Sequence, residues 1–435
     1  MNNKTFSLIS LGCAKNLVNS EQMIYLMTEA GFELISDTAL SDVVIINTCG
    51  FIDSAKQEAI DTIFETAQIN NNIIVTGCLA ERYKDEIISE IPEVKAFLGV
   101  GSFDEIVTAS EAILKGEKFN SFKGNSLPID EIPRVISTGP SWAYLRIAEG
   151  CNNFCAFCSI PYIRGRYRSR KIENILEEAS DLAKHGIKEL IVIAQDITRY
   201  GTDLYNKPCL AELCRKLSVI DGIEWIRLHY LYPEAIDDEL INEIATNDKI
   251  LKYLDIPIQH INSSILKKMN RRGSGEDIRK LFKKLREEIP DLVLRTSLIS
   301  GLPGEGDEEF NELCEFLKGA KIERAGVFPF SPEDGTPASE MEHCSFDIAQ
   351  QRAEFIMTEI QAPIMDEFCN SFIGKTIRVL CEDEQDGQLI GRSYADSPEI
   401  DGQVIFEGEC VPGDFANVLI TDTDDGYLFG KEVNL

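Results

Sequence analysis

No apolar run in this 435-residue chain approaches the ~18 residues of a membrane span, which argues against a transmembrane protein. No export signal is evident, since Met1-Asn2-Asn3-Lys4-Thr5 leads directly into a strand-like stretch. Heptads, solenoid repeats and low-complexity tracts are missing, which sets aside coiled coils and repeat arrays. Positive charge is scarce: 43 Lys and Arg face 73 Asp and Glu, for a net charge of −30. That balance argues against indiscriminate nucleic-acid binding and suits either a basic partner or simple solubility. Cysteine is plentiful at 13, but the number is odd and the chain long, so a secreted disulfide framework is not expected. Reduced thiols in such number point to the cytoplasm.

The composition, 44% hydrophobic and 27% charged, is that of an ordinary globular protein, and the length predicts two to four domains. Residues 1–125 alternate strand-like runs (6–11, 42–47, 73–76) with helical patterns (20–30, 54–68, 81–90). This βαβα rhythm implies an α/β domain with a doubly wound parallel sheet. Residues 117–140 lack periodicity and read as a linker. A second segment, 136–368, carries six strand-like runs (143–148, 189–194, 224–229, 252–258, 292–299, 325–330) separated by helical stretches. Six βα units suggest a partial (β/α)6 TIM-like barrel with its chemistry at the carboxyl ends of the strands. The last segment, 371–435, holds five short strands between Asp-Gly and Pro-Gly turns, the pattern of a small antiparallel β-barrel of oligonucleotide-binding type.

Just past the first barrel strand stands Cys151-Asn152-Asn153-Phe154-Cys155-Ala156-Phe157-Cys158, a C-x3-C-x2-C spacing. Structural zinc wants four ligands, commonly in two C-x2-C pairs, and neither a second pair nor a nearby histidine follows. Bacterial ferredoxins space their cysteines C-x2-C-x2-C. Three thiolates in eight residues can instead hold an iron–sulfur cluster with one iron left open to a small molecule. A second set is dispersed: Cys13, Cys49 and Cys78 each follow a predicted strand of the first domain. Carboxyl ends of parallel strands share one edge, where ligands bind. Buried core thiols are the alternative, but those belong within strands. Position therefore favours a second three-thiolate site. The other seven cysteines (209, 214, 314, 344, 369, 381 and 410) are expected to be packing residues.

These residues resemble a known family. The C-x3-C-x2-C motif is similar to that of radical S-adenosylmethionine enzymes, and 150–165 resembles the methylthiotransferases among them. So do Leu11-Gly12-Cys13-Ala14-Lys15-Asn16, Asn47-Thr48-Cys49 and Thr76-Gly77-Cys78-Leu79-Ala80-Glu81-Arg82. The resemblance covers essentially the whole chain and ends in a TRAM-like barrel at 371–435. It implies two 4Fe-4S clusters, on Cys151, Cys155 and Cys158 and on Cys13, Cys49 and Cys78, with S-adenosyl-L-methionine as cofactor. The first would generate a radical that takes a hydrogen from an unactivated carbon, and the second would carry or present sulfur.

Two branches of the family differ in substrate. MiaB-like members modify adenosine in transfer RNA, and RimO-like members add a methylthio group to the β-carbon of an aspartate of ribosomal protein S-twelve. In 371–435 four cations face fourteen acids, a balance of −10. A nucleic-acid binder neutralises about 6–10 phosphates, beyond what four cations supply. The stretches 394–402 and 15–21 also resemble the RimO-like branch, so the expected partner is ribosomal protein S-twelve or the small ribosomal subunit. An electron donor such as a flavodoxin or ferredoxin and a sulfur source are implied as well, and no membrane. A non-enzymatic iron–sulfur electron carrier is the other class, and it predicts complete four-cysteine ligation.

The sequence departs from the wider superfamily in one respect. The Gly-Gly-Glu common at the second barrel strand is replaced by Ala194-Gln195-Asp196. Gln195 and Asp196 are candidate cofactor contacts or caps of the next segment. Gln259, Gly301 and Gly304, past the fourth and fifth barrel strands, are further cofactor candidates, although turns alone would explain the glycines. No catalytic residue beyond the cluster ligands is assigned. The basic run Arg164, Arg166, Arg168, Arg170 and Lys171 fits either a carboxylate-binding site or a solvated loop.

Overall fold

In a computed structural model, residues 4–129 and 131–434 are described, and their contacts group into two units. The first comprises 1–137, 148–170 and 331–339, and the second 138–147, 171–330 and 340–435. The C-x3-C-x2-C loop thus belongs with the amino-terminal segment rather than with the strand that precedes it in sequence.

The first unit is built on six parallel strands, β1 (Thr5–Ser10), β2 (Glu33–Leu34), β3 (Val43–Thr48), β4 (Ile73–Gly77), β5 (Ala96–Leu98) and β6 (Phe119–Ser121). Their spatial order is β2-β1-β3-β4-β5-β6. The side-chain period of two sends Val43, Ile45, Ile74, Ala96 and Leu98 to one face. There they meet Met23 and Met27 of α1 (Ala14–Glu29) and Ile106, Ala109 and Ile113 near the far end of the segment. Val44, Ile46, Ile73, Val75 and Phe97 face the other way, against Ala59 and Ile63 of α2 (Asp53–Ala67). Burial of both faces is why β3 and β4 open on continuous β-branched runs.

Three local features depart from the sequence expectation. Helix α1 starts at Ala14 rather than Ser20. The stretch expected as one helix over 81–90 is two, α3 (Cys78–Arg82) and α4 (Lys84–Glu90), broken at Tyr83. The expected linker contributes β6 and is pinned along its length. Arg134 pairs with buried Glu21 at 2.5 Å, Gln22 donates to the Ile132 carbonyl at 3.0 Å, and Arg170 pairs with Glu131.

The second unit contains β7 (Trp142–Arg146). The chain then returns to the first unit for β8 (Ala148–Glu149) and β9 (Arg168–Ser169), which pair antiparallel at the base of the cysteine loop. Five further strands, β10 (Glu189–Ile193), β11 (Trp225–Leu228), β12 (Ile250–Asp255), β13 (Val293–Ser300) and β14 (Arg324–Pro329), complete a six-stranded parallel sheet in the order β14-β13-β12-β11-β10-β7. Its end strands do not pair, so the barrel is partial. The helices between strands follow their sequence patterns: Ile172, Ile175, Ala179 and Leu182 line the buried face of the helix at 172–184. A capping box between Ser274 and Asp277 starts the helix at 275–288.

The carboxyl-terminal strands β15 (Thr376–Gln385), β16 (Gln388–Ser393), β17 (Val404–Glu407), β18 (Phe415–Asp424) and β19 (Tyr427–Glu432) close into a barrel. It is not wholly antiparallel, because β17 and β19 run parallel. An odd number of strands cannot alternate direction all the way round a closed ring, so one parallel pair is forced. Trp225, Leu251 and Val293, at the amino ends of β11, β12 and β13, share an apolar core with Val379, Leu380 and Phe406 of this barrel. Above that core Arg227 reaches Glu189 at 2.7 Å, and Arg392 reaches both Glu189 and Glu382 at 2.6 Å. The stretch 394–402 is spent on the same seam: Asp396 accepts from Arg324 at 2.7 Å, Ser397 bonds His229 at 3.1 Å, and Tyr253 and Tyr144 donate to Asp401 and Glu399.

Candidate metal centre

In the first unit, β1, β3 and β4 are neighbours whose register aligns Ser10 with Asn47 and Asn47 with Thr76. The cysteine that follows each strand therefore leaves the sheet at one edge and at nearly one level. Gly12 and Gly77 make the exits possible. Gly77 has φ +98°, and a Cβ on Gly12 would lie 2.7 Å from the Cys49 Cβ. Asn16, three residues after Cys13, ties the exits together. Its Nδ2 donates to the Leu11 carbonyl at 3.0 Å and the Thr48 carbonyl at 2.9 Å, and the Cys78 thiol lies 3.7 Å from its Oδ1. Asn47 in turn donates to the Asn16 carbonyl and to Ser20.

The three thiols sense one another. Burial pushes Cys49 up to about 11, with Cys78 and Cys13 adding to the rise. Burial also raises Cys78, against the pull of Arg164. Cys13 ends below its ordinary value: burial opposes ionisation, but Lys15, Arg164 and the backbone amides of Asn16 and Lys15 outweigh it. Cys13 is also the N-cap of α1, where exposed amides favour a thiolate. Among the described residues, no three His, Cys, Asp or Glu stand close enough to hold one metal ion. A cluster spreads its thiolates over separate irons, a wider spacing than one cation requires.

The second set sits on the loop between β8 and β9. Gly150 has φ +80°, and any side chain there would strike the carbonyls of Gly165 and Arg166. The Cys151 amide donates to the Gly165 carbonyl at 3.1 Å, which closes the loop, and the Cys158 amide donates to that of Cys155 at 3.0 Å. Phe154 takes a left-handed φ of 47°, stabilised by Arg166 stacked 4.5 Å above its ring. Cys151 and Cys155 are buried and Cys158 is half-buried. Among the described residues no disulfide claims any cysteine. Each set offers three thiols, with Cys78, Cys151 and Cys155 buried and Cys13, Cys49 and Cys158 half-buried, which fits an iron–sulfur cluster with one iron open.

Arg164 connects the two sets. It lies on a short helix, Ile160–Arg164, six residues past Cys158. Its guanidinium donates to the Cys78 thiol at 3.5 Å, to Asn16 Oδ1, and to Glu149 at 3.0 Å. A strap at 331–339 touches α3, which begins at Cys78, and the loop of the second set. Glu333 pairs with Arg82 of α3 at 2.9 Å and accepts from the Asp53 amide, while the Ala338 amide donates to the Ala156 carbonyl at 2.9 Å. The sequence did not reveal Glu149, Glu333 or the role of Asn16, each of which acts on a partner distant along the chain. Three of the basic run are spent internally, Arg164 as above, Arg168 on the carbonyls of Asn125 and Arg166, and Arg170 on Glu131, while Arg166 and Lys171 are exposed.

In the second unit the other candidates lie past strand ends. Gln195 follows β10. The Asp196 carboxylate accepts from the Thr198 amide at 3.1 Å and from Arg199 at 3.2 Å, so it organises its own turn. Gln259 takes φ +69° while its backbone continues the ladder to Leu298. Gly301 and Gly304 have φ of +76° and +95°, and a Cβ on either would press on Ala349 or Lys268. The left-handed φ thus favours glycine at both turns, and at Gly301 the Ala349 contact does so as well. His260 accepts from the Asn262 amide at Nδ1, which leaves Nε2 to donate to buried Glu305 at 3.2 Å.

Comparison with known proteins agrees with this geometry. The amino-terminal segment, residues 5–99, matches the uncharacterised family UPF0004. Residues 145–317 match the radical SAM superfamily and 373–433 the TRAM domain. The ribosomal protein uS12 methylthiotransferase RimO of Acetivibrio thermocellus is 47% identical over 99% of this chain and 99% of its own. The protein of the same name from Caldanaerobacter subterraneus is 47% identical over 98% of this chain and 100% of its own. Among solved structures, the radical S-adenosylmethionine methyltransferase TsrM from Kitasatospora setae shares the fold, with a TM-score of 0.57 over 78% of this chain and 77% of that one at 14% identity. Identity of this order over the full length places the chain in one family, that of the ribosomal protein uS12 methylthiotransferases named RimO.

Proposed function

We propose that this chain adds a methylthio group to the β-carbon of an aspartate in ribosomal protein uS12, using S-adenosyl-L-methionine. The observation that carries this reading is the convergence of Cys13, Cys49 and Cys78 at one sheet edge, with Cys151, Cys155 and Cys158 in the same unit. In this reading each set holds one 4Fe-4S cluster. When bound, the two clusters and S-adenosylmethionine would supply a radical able to take hydrogen from an unactivated carbon and the methyl group, and would present the sulfur. The chain's own residues hold and shield. Gly12, Gly77 and Gly150 let the backbone deliver its thiols, Asn16 fixes two of the strand exits, and burial of Cys78, Cys151 and Cys155 keeps water from the ligands.

A basic ribosomal protein suits the chain better than transfer RNA does. Each of the four cations in 371–435 is already engaged: Arg392 with Glu189 and Glu382, Arg378 with Glu224, Lys431 with Glu407, and Lys375 over the Phe372 ring. That leaves little to neutralise phosphates. Among the described residues no helix is long and apolar enough to cross a membrane. A cytoplasmic setting, an electron donor of flavodoxin or ferredoxin type and a separate sulfur source complete the proposal.

Mass spectrometry of uS12 and of total transfer RNA, from cells with and without this chain, tests it. A methylthio increment on a uS12 aspartate that disappears with the chain is the expected result. Loss of methylthioadenosine from transfer RNA instead would overturn the substrate assignment.

A further inference from the structure

A buried guanidinium stays charged and needs anions beside it. Arg164 is 3% exposed, and its nearest partners are one carboxylate, Glu149, one amide oxygen, Asn16 Oδ1, and the sulfur of Cys78. Of these partners only Glu149 is a formal anion, and the other two, Asn16 and Cys78, belong to the edge that carries the first cysteine set. The position along the chain matters equally. Glu149 stands two residues before Cys151 and Arg164 six after Cys158, so the ion pair closes the loop that carries the second set. From that closure the guanidinium reaches across to a thiol of the first set.

We propose that Arg164 is a positioning residue for the centre on Cys13, Cys49 and Cys78, holding the Cys78 sulfur by a charge-assisted hydrogen bond that favours one-electron reduction of that centre. The inference rests on the reading that these three cysteines hold a cluster. Reduction adds one electron, taken from an external reductant, and with it one negative charge on the cluster and its sulfurs. A hydrogen-bond donor and a positive charge beside a ligand sulfur stabilise the reduced form and raise the potential. Glu149 works in the opposite sense, since its carboxylate offsets part of that charge. The effect is centred on the first set, whose Cys78 sulfur the guanidinium meets directly, while Glu149 ties it to the loop of the second.

The test is a dithionite titration of anaerobically reconstituted full-length protein, followed by electron paramagnetic resonance. Two backgrounds isolate the centres: Cys151→Ala, Cys155→Ala, Cys158→Ala leaves the first set, and Cys13→Ala, Cys49→Ala, Cys78→Ala leaves the second. In the first background Arg164→Gln is expected to shift the reduction equilibrium at least about tenfold toward the oxidised form, ~59 mV for one electron. Glu149→Gln, which keeps shape, is expected to shift it the other way, and Arg164→Lys to fall between wild type and Arg164→Gln. In the second background Arg164→Gln leaves the potential within about twofold of its parent in equilibrium constant. Unchanged potentials in the first background, or shifts of one sign for both Arg164→Gln and Glu149→Gln, overturn the proposal. Should Arg164→Gln not fold, the sign of the Glu149→Gln shift decides alone. If the first background binds no iron at all, the reading of Cys13, Cys49 and Cys78 as cluster ligands is what fails.

Discussion

Asn16 holds Thr48 by a 2.9 Å hydrogen bond from its side-chain amide to the backbone carbonyl, so a residue of the first cysteine's helix fixes the residue just before the second cysteine. The same amide also satisfies Leu11. Asn16→Ala leaves both carbonyls short of a donor, at a cost of about 1–3 kcal/mol each where burial is complete. The expected outcome is a lower denaturant midpoint for the metal-free protein. Iron bound after reconstitution is expected to fall by up to half, because only one of the two sets depends on Asn16 directly.

Gly77 occupies φ +98°, ψ −158°, a region essentially reserved for glycine. Gly77→Ala adds about 1–3 kcal/mol of backbone strain, and its Cβ would crowd the Thr48 amide at 2.9 Å. The strand exit must then tilt, and Cys78 with it. Iron analysis is expected to show loss at the first set, while the loop signature of Cys151, Cys155 and Cys158 persists.

Full reconstitution of wild type is expected to give about eight irons per chain if both clusters are cubanes. Cys13→Ala, Cys49→Ala, Cys78→Ala together are expected to leave about four. Retention of all the iron in that variant would contradict a second site.

Glu189 sits fully buried between Arg227 and Arg392. Burial opposes its charge, but the two guanidinium groups outweigh that and hold the carboxyl below its ordinary value. Its folded value lies under its unfolded one, about 4.3. The group therefore contributes stability above that pH and loses it as the pH falls through the folded value. Unfolding followed from neutral to acid is expected to show a decline below about pH 4.3 that Glu189→Gln lacks in part. At neutral pH the same variant is expected to be less stable by about 3–5 kcal/mol, since it leaves buried positive charge uncompensated.

The long strands were legible because burial on both faces writes a continuous β-branched run, as in Val43, Val44, Ile45 and Ile46. Phe119–Ser121 was not, since three residues on a sheet edge carry no period. The first turn of α1 was hidden for a different reason. Lys15, Asn16, Asn19, Ser20, Glu21 and Gln22 are all buried, yet polar, because they serve the cysteine edge and the Arg134 segment rather than an apolar core. The cysteines at strand ends could be placed from topology alone. Arg164 could not be singled out, since alternating arginines read as a solvated loop until the fold brings Glu149 and Cys78 beside one of them.

The strap at 331–339 has a bearing on how the protein is made. The first unit needs residues 1–137, 148–170 and 331–339, so it cannot be completed when its first 137 residues leave the ribosome. At ~5–20 residues per second, the roughly 200 residues still to come take about 10–40 s. Throughout that interval the edge bearing Cys13, Cys49 and Cys78 stands without the partner that Glu333 gives Arg82. Metal loading that waits for the strap would then be a late event, and a nascent chain stalled before residue 331 would be a poor acceptor of iron.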